Sequence, residues 1–188
     1  MNLIIFGPPG AGKGTQADFI VNKFDLHQLS TGQVLRNEIK NKTELGSKIS
    51  SIINSGSLVS DDIVKKLVEN FISDKKYKNR LIFDGYPRNL TQAKTLNELL
   101  SKYKQKVDLV LKLSVSLETI KKRILERQTL EKRADDNEET AIKRYKTYEK
   151  STEPVIEYYK KLNLLKVVDG ERSIDQINKE ISDIIRLI

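Results

Sequence analysis

The sequence predicts an α/β protein with a parallel central sheet. Short apolar runs alternate with segments of helical periodicity along all 188 residues, and the first run ends in a glycine-rich turn. That first run, Leu3 to Phe6, is continuously apolar, which is typical of a strand buried on both faces. Neither an internal repeat nor a low-complexity linker interrupts the pattern. We therefore expect one domain whose strand-to-strand crossovers are right-handed.

The predicted strands are the apolar runs at residues 3–6, 81–84, 107–113 and 164–168. Residues 30–59 lie between the first two runs and have helical character. This excursion is too long for a simple crossover between neighbouring strands. We expect it to be a small helical insertion in the core.

Capping signals mark where the predicted helices begin. One helix starts at about Lys13, directly after the glycine-rich turn. Another follows Ser116-x-x-Thr119, and its inward face is predicted to contain Leu117, Ile120 and Ile124. The last helix follows Ser173-x-x-Gln176, which has the spacing of a capping box.

Composition limits the classes of protein that the chain can represent. No apolar run approaches the ~18 residues of a membrane span, and there is no cysteine, so we expect neither a membrane protein nor a disulfide framework or thiolate metal site. The formal charge is +8, but acidic residues are interleaved throughout, so dedicated nucleic-acid binding is not expected. A cytoplasmic monomer is the simplest interpretation. Only nine of the 34 basic residues are arginine. Each arginine is therefore a candidate for a position that needs a planar guanidinium group able to donate two parallel hydrogen bonds.

The first motif with a chemical function is GPPGAGKGT, residues 7–15. It follows a strand and opens a helix, which is the context that a phosphate-binding loop requires. Glycines let backbone N–H groups turn towards phosphate oxygens, and Lys13 is placed to reach the transferred phosphate. The general pattern has Ser or Thr directly after the lysine, whereas this chain has Gly14 there and Thr15 one position later. The usual hydroxyl ligand of Mg²⁺ is displaced, which argues against a GTPase-like switch.

A carboxylate and an arginine follow the second predicted strand. Asp84 ends that strand, and the sequence continues with Gly-Tyr-Pro-Arg, in which Gly85 and Pro87 form a turn that presents Arg88. A carboxylate at the carboxyl end of a strand beside a phosphate-binding loop can hold Mg²⁺ directly or through water. We expect Mg²⁺ through water near Asp84 and Thr15.

Several motifs together resemble those of the adenylate kinase family: GPPGAGKGT, STGQVLR (30–36), GSLVSDDIV (56–64), FDGYPRN (83–89), RADDNEET (133–140) and STEPVIEYY (151–159). They cover nearly the whole chain in the order typical of that family. The resemblance implies a three-layer core of the P-loop NTPase type, formed by residues 1–29, 60–127 and 137–188. It also implies that residues 30–59 are the mobile AMP-binding subdomain and residues 128–136 a short lid.

The resemblance implies a role for individual positions. The ATP site would comprise Gly10, Ala11, Gly12, Lys13, Gly14, Thr15, Arg123, Arg127 and Arg172. The AMP site would comprise Thr31, Gly32, Arg36, Ser57, Leu58, Val59, Gly85, Tyr86, Pro87, Arg88, Gln92, Arg133 and Arg144. The catalytic side chains would be Lys13, Arg88, Arg127, Arg133 and Arg144. The implied reaction is phosphoryl transfer between Mg²⁺·ATP and AMP to give two ADP, and it needs no catalytic histidine; His27 is expected to be a packing residue.

The charged stretch RILERQTLEKRADD, residues 123–136, would supply the lid. Arg123 would lie against the ATP adenine, and Asp135 and Asp136 would orient the arginines. Long-form relatives have a much longer lid than the few residues that separate the arginines here, so no room for a zinc site is expected.

Two alternatives and two departures accompany this interpretation. A UMP/CMP kinase is the nearest enzymatic alternative, although Thr31 and Gln92 match the adenine-binding version. A nucleotide-dependent, RNA-associated switch protein is the alternative of another class. The family usually has Asp where this chain has Gln33, so the effect of the missing charge on that loop stays open. The family usually has Phe where this chain has Tyr86.

Overall fold

A parallel β-sheet forms the centre of the molecule. The computed structural model of the chain describes residues 1–131 and 138–188. Within those ranges the sheet has five strands in the order β2-β3-β1-β4-β5. They are β1 (Leu3–Phe6), β2 (His27–Ser30), β3 (Leu81–Asp84), β4 (Leu109–Ser114) and β5 (Leu165–Asp169).

Helices cover both faces of the sheet. Those of the described ranges are α1 (Lys13–Phe24), α2 (Thr31–Lys40), α3 (Glu44–Asn54), α4 (Asp61–Ser73), α5 (Leu90–Lys102), α6 (Leu117–Glu131), α7 (Glu138–Lys161) and α8 (Ile174–Ile185). No helix in the described part of the chain is long and apolar enough to span a membrane. The predicted α/β class with a three-layer core is confirmed.

The alternation of side chains along the strands creates two hydrophobic cores. In β1, Ile4 and Phe6 join the core that includes residues of α4, α5 and α7, whereas Leu3 and Ile5 join the core formed with α1 and α8. Because successive side chains of a strand point to opposite faces, a continuous apolar run is what a sheet covered on both sides requires.

The strand order places a crevice at the carboxyl end of β1. This strand pairs with β3 on one side and β4 on the other, so the chain fills one half of the sheet before the other. Ligands of open α/β sheets bind at such a switch point. Ile5 is in register with Asp84, which sets the end of β3 beside the loop that follows β1.

Helices α2 and α3 form a closely packed pair within residues 30–59. A Cβ atom built on Gly46 of α3 would lie 2.2 Å from the carbonyl oxygen of Glu38 in α2. Only glycine allows the two backbones to approach this closely. The pair is fastened further by Thr43, which caps α3 by accepting from the Gly46 N–H and donates to the Glu38 carboxylate at 2.6 Å.

Sequence reasoning missed one strand and misplaced one side chain. The segment His-Gln-Leu-Ser at 27–30 was not predicted as a strand because only Leu29 of its four residues is apolar and fully buried. Leu117 was expected to face inward but is 41% exposed, while Ile120 and Ile124 are buried as expected. Strands β4 and β5 begin and end within two residues of their predicted bounds. The predicted capping box of α8 is present, since Ser173 and Gln176 bond each other's backbone N–H groups.

Candidate active site

The loop between β1 and α1 is shaped to hold an anion. Gly10 and Gly12 adopt left-handed backbone conformations, with φ of 84° and 90°, and α1 starts at the next residue, Lys13. This turns the first N–H groups of α1 towards the crevice, where the helix dipole adds partial positive charge. A side chain at Gly10 would also collide with α6, because its Cβ would lie 3.1 Å from Ile124 Cγ1.

The ammonium group of Lys13 is held by its own loop. Nζ donates to the carbonyl oxygens of Gly7 at 2.7 Å and Pro8 at 3.0 Å. The pKa of Lys13 is lowered from 10.5 to about 8. Desolvation of the ammonium group is the largest cause, Asp84 opposes it, and nearby arginines add to the lowering. A pKa depressed in this way indicates an electropositive crevice in which a phosphate chain would be a favourable partner.

Five arginines line one cavity of about 620 Å³ above the carboxyl ends of the strands. They are Arg36, Arg88, Arg123, Arg127 and Arg144, which come from α2, the loop after β3, α6 and α7. Two of them have fixed orientations. Arg88 Nε donates to Gly85 O at 2.8 Å, and Arg123 Nη2 donates to Gly170 O at 2.9 Å. Guanidinium groups converging on one cavity suit the binding of several phosphates.

A smaller pocket adjoins this cavity beneath α2 and the start of α4. Its lining includes most residues predicted for AMP: Thr31, Gly32, Arg36, Ser57, Leu58, Val59, Gly85, Arg88, Gln92 and Arg144. Apolar side chains that the motifs did not indicate, Leu35, Ile53 and Val64, complete its walls. A narrow apolar slot with an amide at one side and arginines at its mouth suits a planar base joined to a phosphate.

Thr31 and Gln92 are two of the polar side chains that line this pocket. Thr31 Oγ1 donates to Gly85 O at 3.0 Å, which ties the start of α2 to the turn after β3. Gln92 is 4% exposed, and its amide bonds the backbone N–H of Arg88 and the carboxylate of Asp61, both at 2.7 Å. Both side chains therefore line this pocket, and their contact with a base stays a prediction.

Oxygen donors gather at the carboxyl ends of β2 and β3. Asp84 lines the large cavity together with Gln28 and Thr15, and Gln28 Nε2 donates to Asp84 Oδ2 at 3.0 Å. Carboxylate, amide and hydroxyl oxygens are the ligands that Mg²⁺ prefers, often through water. Gln28 was missed because it lies on the strand that sequence reasoning did not recognise.

Not every predicted residue reaches the cavity. Arg172 follows β5, and its guanidinium pairs with Glu180 of α8 and with Asp169, so it is turned away from the cavity lining. Ala11 is buried, and its carbonyl oxygen accepts from Arg123 Nη1 at 3.4 Å. Tyr86 belongs to the hydrophobic core, and its hydroxyl donates to Gln92 O at 3.2 Å. Pro87 and Gln33 line the large cavity.

The predicted lid is described only in part. Residues 128–131 form the last turn of α6. Arg133, Asp135 and Asp136 lie outside the described residues, so their predicted roles stay predictions. Glu126 lines the large cavity together with Arg123 and Arg127.

The fold and the cavity together define a class of protein. A parallel sheet with a phosphate-binding loop after its first strand, and an arginine-lined cavity leading into a base-sized pocket, is the arrangement of a P-loop nucleotide phosphotransferase.

Comparison with known proteins narrows this class to one family. The adenylate kinase family model matches residues 5–164. The chain is 44% identical over 213 aligned positions to the adenylate kinase of Pelagibacter ubique (strain HTCC1062), with 100% of both chains covered. It is also 44% identical over 181 positions to that of Prochlorococcus marinus (strain MIT 9301), with 96% of each chain covered, and 39% identical to that of Fusobacterium nucleatum over 98% of both chains. The chain therefore belongs to the adenylate kinase family of phosphotransferase enzymes.

Proposed function

We propose that the enzyme transfers the terminal phosphoryl group of Mg²⁺·ATP reversibly to AMP, giving two ADP. The observation that supports this most directly is the pair of connected binding spaces, with a phosphate-binding loop in the larger and a buried glutamine amide in the smaller. Arg36, Arg88 and Arg144 border both spaces. A phosphate bound to them would lie between the donor and the acceptor.

In this proposal catalysis consists of positioning and charge neutralisation. An AMP phosphate oxygen is already ionised at neutral pH, so it can attack the γ-phosphorus of ATP without a general base. The bond to the β,γ-bridging oxygen breaks as the new P–O bond forms, and ADP leaves with that oxygen. Lys13, Arg88, Arg127 and Arg144 would neutralise the charge that spreads over the transferring group. We assign Arg133 to the same task.

Mg²⁺ is the cofactor we propose for the donor nucleotide. Asp84 and Thr15, with Gln28 beside them, would hold the ion through its water ligands. When bound, the ion would supply positive charge that offsets the negative charge of the phosphates. The protein's own part is to keep the Asp84 carboxylate oriented, which the hydrogen bond from Gln28 does.

We propose that residues 30–59 and the segment 128–136 close over the two nucleotides and exclude water that would otherwise hydrolyse ATP. The alignment lengths show only that this chain is shorter than some of its relatives. The Pelagibacter relative aligns over 213 positions with a chain of 188 residues, so about 25 positions of that alignment have no residue here, whereas the Prochlorococcus alignment needs only 181 positions. ATP, AMP and ADP are small soluble substrates, which agrees with a cytoplasmic monomer.

The test is an acceptor panel in which AMP, GMP, CMP and UMP are each supplied with Mg²⁺·ATP and diphosphate formation is followed. We expect ADP formation that requires AMP and stops when Mg²⁺ is chelated. Turnover of no monophosphate would refute the kinase activity, and a preference for CMP or UMP would refute the adenylate assignment. Slow ATP hydrolysis without acceptor, together with salt-dependent RNA binding, would instead support a switch protein.

A further inference from the structure

The amide of Gln92 is held at both of its ends. Its Oε1 accepts from the backbone N–H of Arg88 at 2.7 Å, and its Nε2 donates to Asp61 Oδ1 at 2.7 Å. Gln92 lies at the wall of the acceptor pocket, so the amide is the polar group that a bound base would meet there. Each end of the amide still has one bonding position for a ligand, a second hydrogen on Nε2 and a second lone pair on Oε1.

Asp61 is itself fixed in place. Asn89 Nδ2 donates to its two carboxylate oxygens at 3.1 and 3.3 Å. Asn89 in turn caps α5, because its Oδ1 accepts from the backbone N–H of Gln92 at 2.8 Å. Asp61 and Asn89 therefore join the first turn of α4 to the first turn of α5 around the Gln92 side chain.

These contacts allow only one orientation of the amide. If it rotated by 180°, Nε2 would face the N–H of Arg88, so two donors would meet. At the other end Oε1 would face the Asp61 carboxylate, so two acceptors would meet. Both new contacts would be repulsive and both original bonds would be lost in a buried setting, where unsatisfied polar groups are costly. The amide thus offers an N–H and a carbonyl lone pair in a fixed order.

That order matches one pattern of base edges. Adenine presents an amino donor beside a ring-nitrogen acceptor, which complements a carbonyl oxygen beside an N–H. Guanine presents a carbonyl acceptor beside a ring N–H donor, which needs the rotated amide. Cytosine follows the pattern of adenine, and uracil follows that of guanine. A fixed amide should therefore separate AMP from GMP, and CMP from UMP, by the same physical cause.

We propose that Asp61 is a positioning residue for acceptor specificity, which acts by holding the Gln92 amide in the orientation that accepts an amino-bearing base. The proposal rests on the acceptor function proposed above for this pocket. Asp61 need not touch the nucleotide, since its effect passes through Gln92.

The experiment measures kcat/KM for AMP, GMP, CMP and UMP in Asp61→Ala and in Asp61→Asn. Asp61→Ala removes one of the two bonds that fix the amide, so the rotated orientation becomes less costly, and we expect the AMP/GMP and CMP/UMP ratios each to fall roughly tenfold. Asp61→Asn keeps one oxygen towards Nε2, so it should retain most of the selectivity. Asp62→Ala is the matched control, because Asp62 lies in the same first turn of α4 and is exposed, and it should leave both ratios unchanged.

A double-mutant cycle separates positioning from a structural role. Asp61→Ala should cause no further change in either ratio when Gln92 is already Leu, because Asp61 then has no amide to orient. If Asp61→Ala does not fold, Asp61→Ser, whose side chain is one bond shorter and cannot reach Nε2, is measured in its place. Ratios within about twofold of wild type, or an equal effect in the Gln92→Leu background, would overturn the proposal. Absence of AMP turnover in the wild type would instead refute the function itself.

Discussion

Replacing Arg88 by lysine keeps the positive charge but removes the planar fork, so it tests how the arginines of the cavity act. Arg88 lines both the large cavity and the acceptor pocket, and its Nε–H is already used in the bond to Gly85 O at 2.8 Å. That bond orients the guanidinium group, whose two Nη groups would bind a phosphate in a bidentate arrangement. A lysine has no group that could bond Gly85 and hold a phosphate by two parallel bonds at once.

The expected loss follows from the bonds removed. A hydrogen bond to a charged group contributes about 1.5–3 kcal/mol, so losing two at the transferring phosphate raises the barrier by about 3–6 kcal/mol. This corresponds to a fall in kcat/KM of about 10² to 10⁴. The lost bond to Gly85 should cost about 1 kcal/mol of stability, which lowers Tm by about 2–4 °C for a chain of this size.

The assay is coupled detection of ADP with AMP as acceptor, alongside thermal unfolding. Arg80→Lys is the matched control, because Arg80 precedes β3 and uses Nε and Nη2 to bond Asp25 O at 2.9 and 2.8 Å, with no part in the cavity lining. We expect Arg80→Lys to lower Tm by a similar amount and to leave kcat unchanged. Activity of Arg88→Lys within about tenfold of wild type would refute the bidentate role. Equal losses of activity in both variants would show that the effect is structural.

Three further predictions concern the stability of the helical insertion, proton uptake by Lys13 and the contact of Glu171 with the start of α6. Gly46→Ala should destabilise the protein by several kcal/mol, about 3 or more, because the new Cβ would lie 2.2 Å from Glu38 O, and chemical denaturation measures this. Lys13, with a pKa of about 8, should take up a proton when ATP binds above that pH, so ATP affinity should fall by up to about tenfold per pH unit there. Calorimetry in buffers of different ionisation enthalpy detects that proton. Glu171→Ala should raise KM for ATP but not for AMP, since Glu171 accepts from the backbone N–H of Ser116 at 2.6 Å before the helix that contains the ATP-side arginines.

Each of these has a control within the chain. Gly14→Ala adds a methyl group where no atom lies within 4 Å, so the free energy of unfolding of that variant should not be lower than that of the wild type. For Lys13 the direction in which stability changes with pH follows from its pKa. Its pKa in the folded chain is below 10.5, so unfolding takes up a proton and stability without nucleotide should rise with pH between about 8 and 10.5. An absence of proton uptake on ATP binding at about pH 9 would contradict that pKa. If Glu171→Ala raised the two KM values equally, Glu171 would have no role specific to the ATP side.

The parts of the fold that sequence predicted well are those in which a single physical requirement dominates. Strands β1 and β3 are buried on both faces, so their four residues had to be apolar, apart from the terminal Asp84. Strand β2 is at the edge of the sheet, and three of its residues, His27, Gln28 and Ser30, are only partly buried. Polar side chains are tolerated there, so β2 lacks the continuous apolar run by which the other strands were predicted. Hydrogen bonding to β3 makes this segment a strand, and that pairing cannot be inferred from the local sequence.

The site shows the same division between local and long-range information. The glycine loop and the turn at Gly85 were predictable because their conformations are encoded within a few residues. The partners of Gln92 were not, since Asp61 is 31 positions away and meets it only after β3 has been placed. The partners of Arg172 could not be predicted for the same reason. It follows a strand that ends at the cavity, yet Glu180 on the returning helix α8 pairs with its guanidinium first.

The scarcity of arginine in a lysine-rich chain indicated more than a list of phosphate ligands. Of the eight arginines in the described part of the chain, five line the large cavity, namely Arg36, Arg88, Arg123, Arg127 and Arg144. Arg80 and Arg172 do not line it. Arg80 bonds Asp25 O through Nε and Nη2, and the guanidinium of Arg172 pairs with Glu180 and Asp169. What these seven share is a need for several N–H donors in one plane, which lysine cannot supply. The residue type therefore marked positions that need a planar guanidinium group, and only the fold separated the arginines that line the cavity from those that pair with the protein's own oxygens elsewhere.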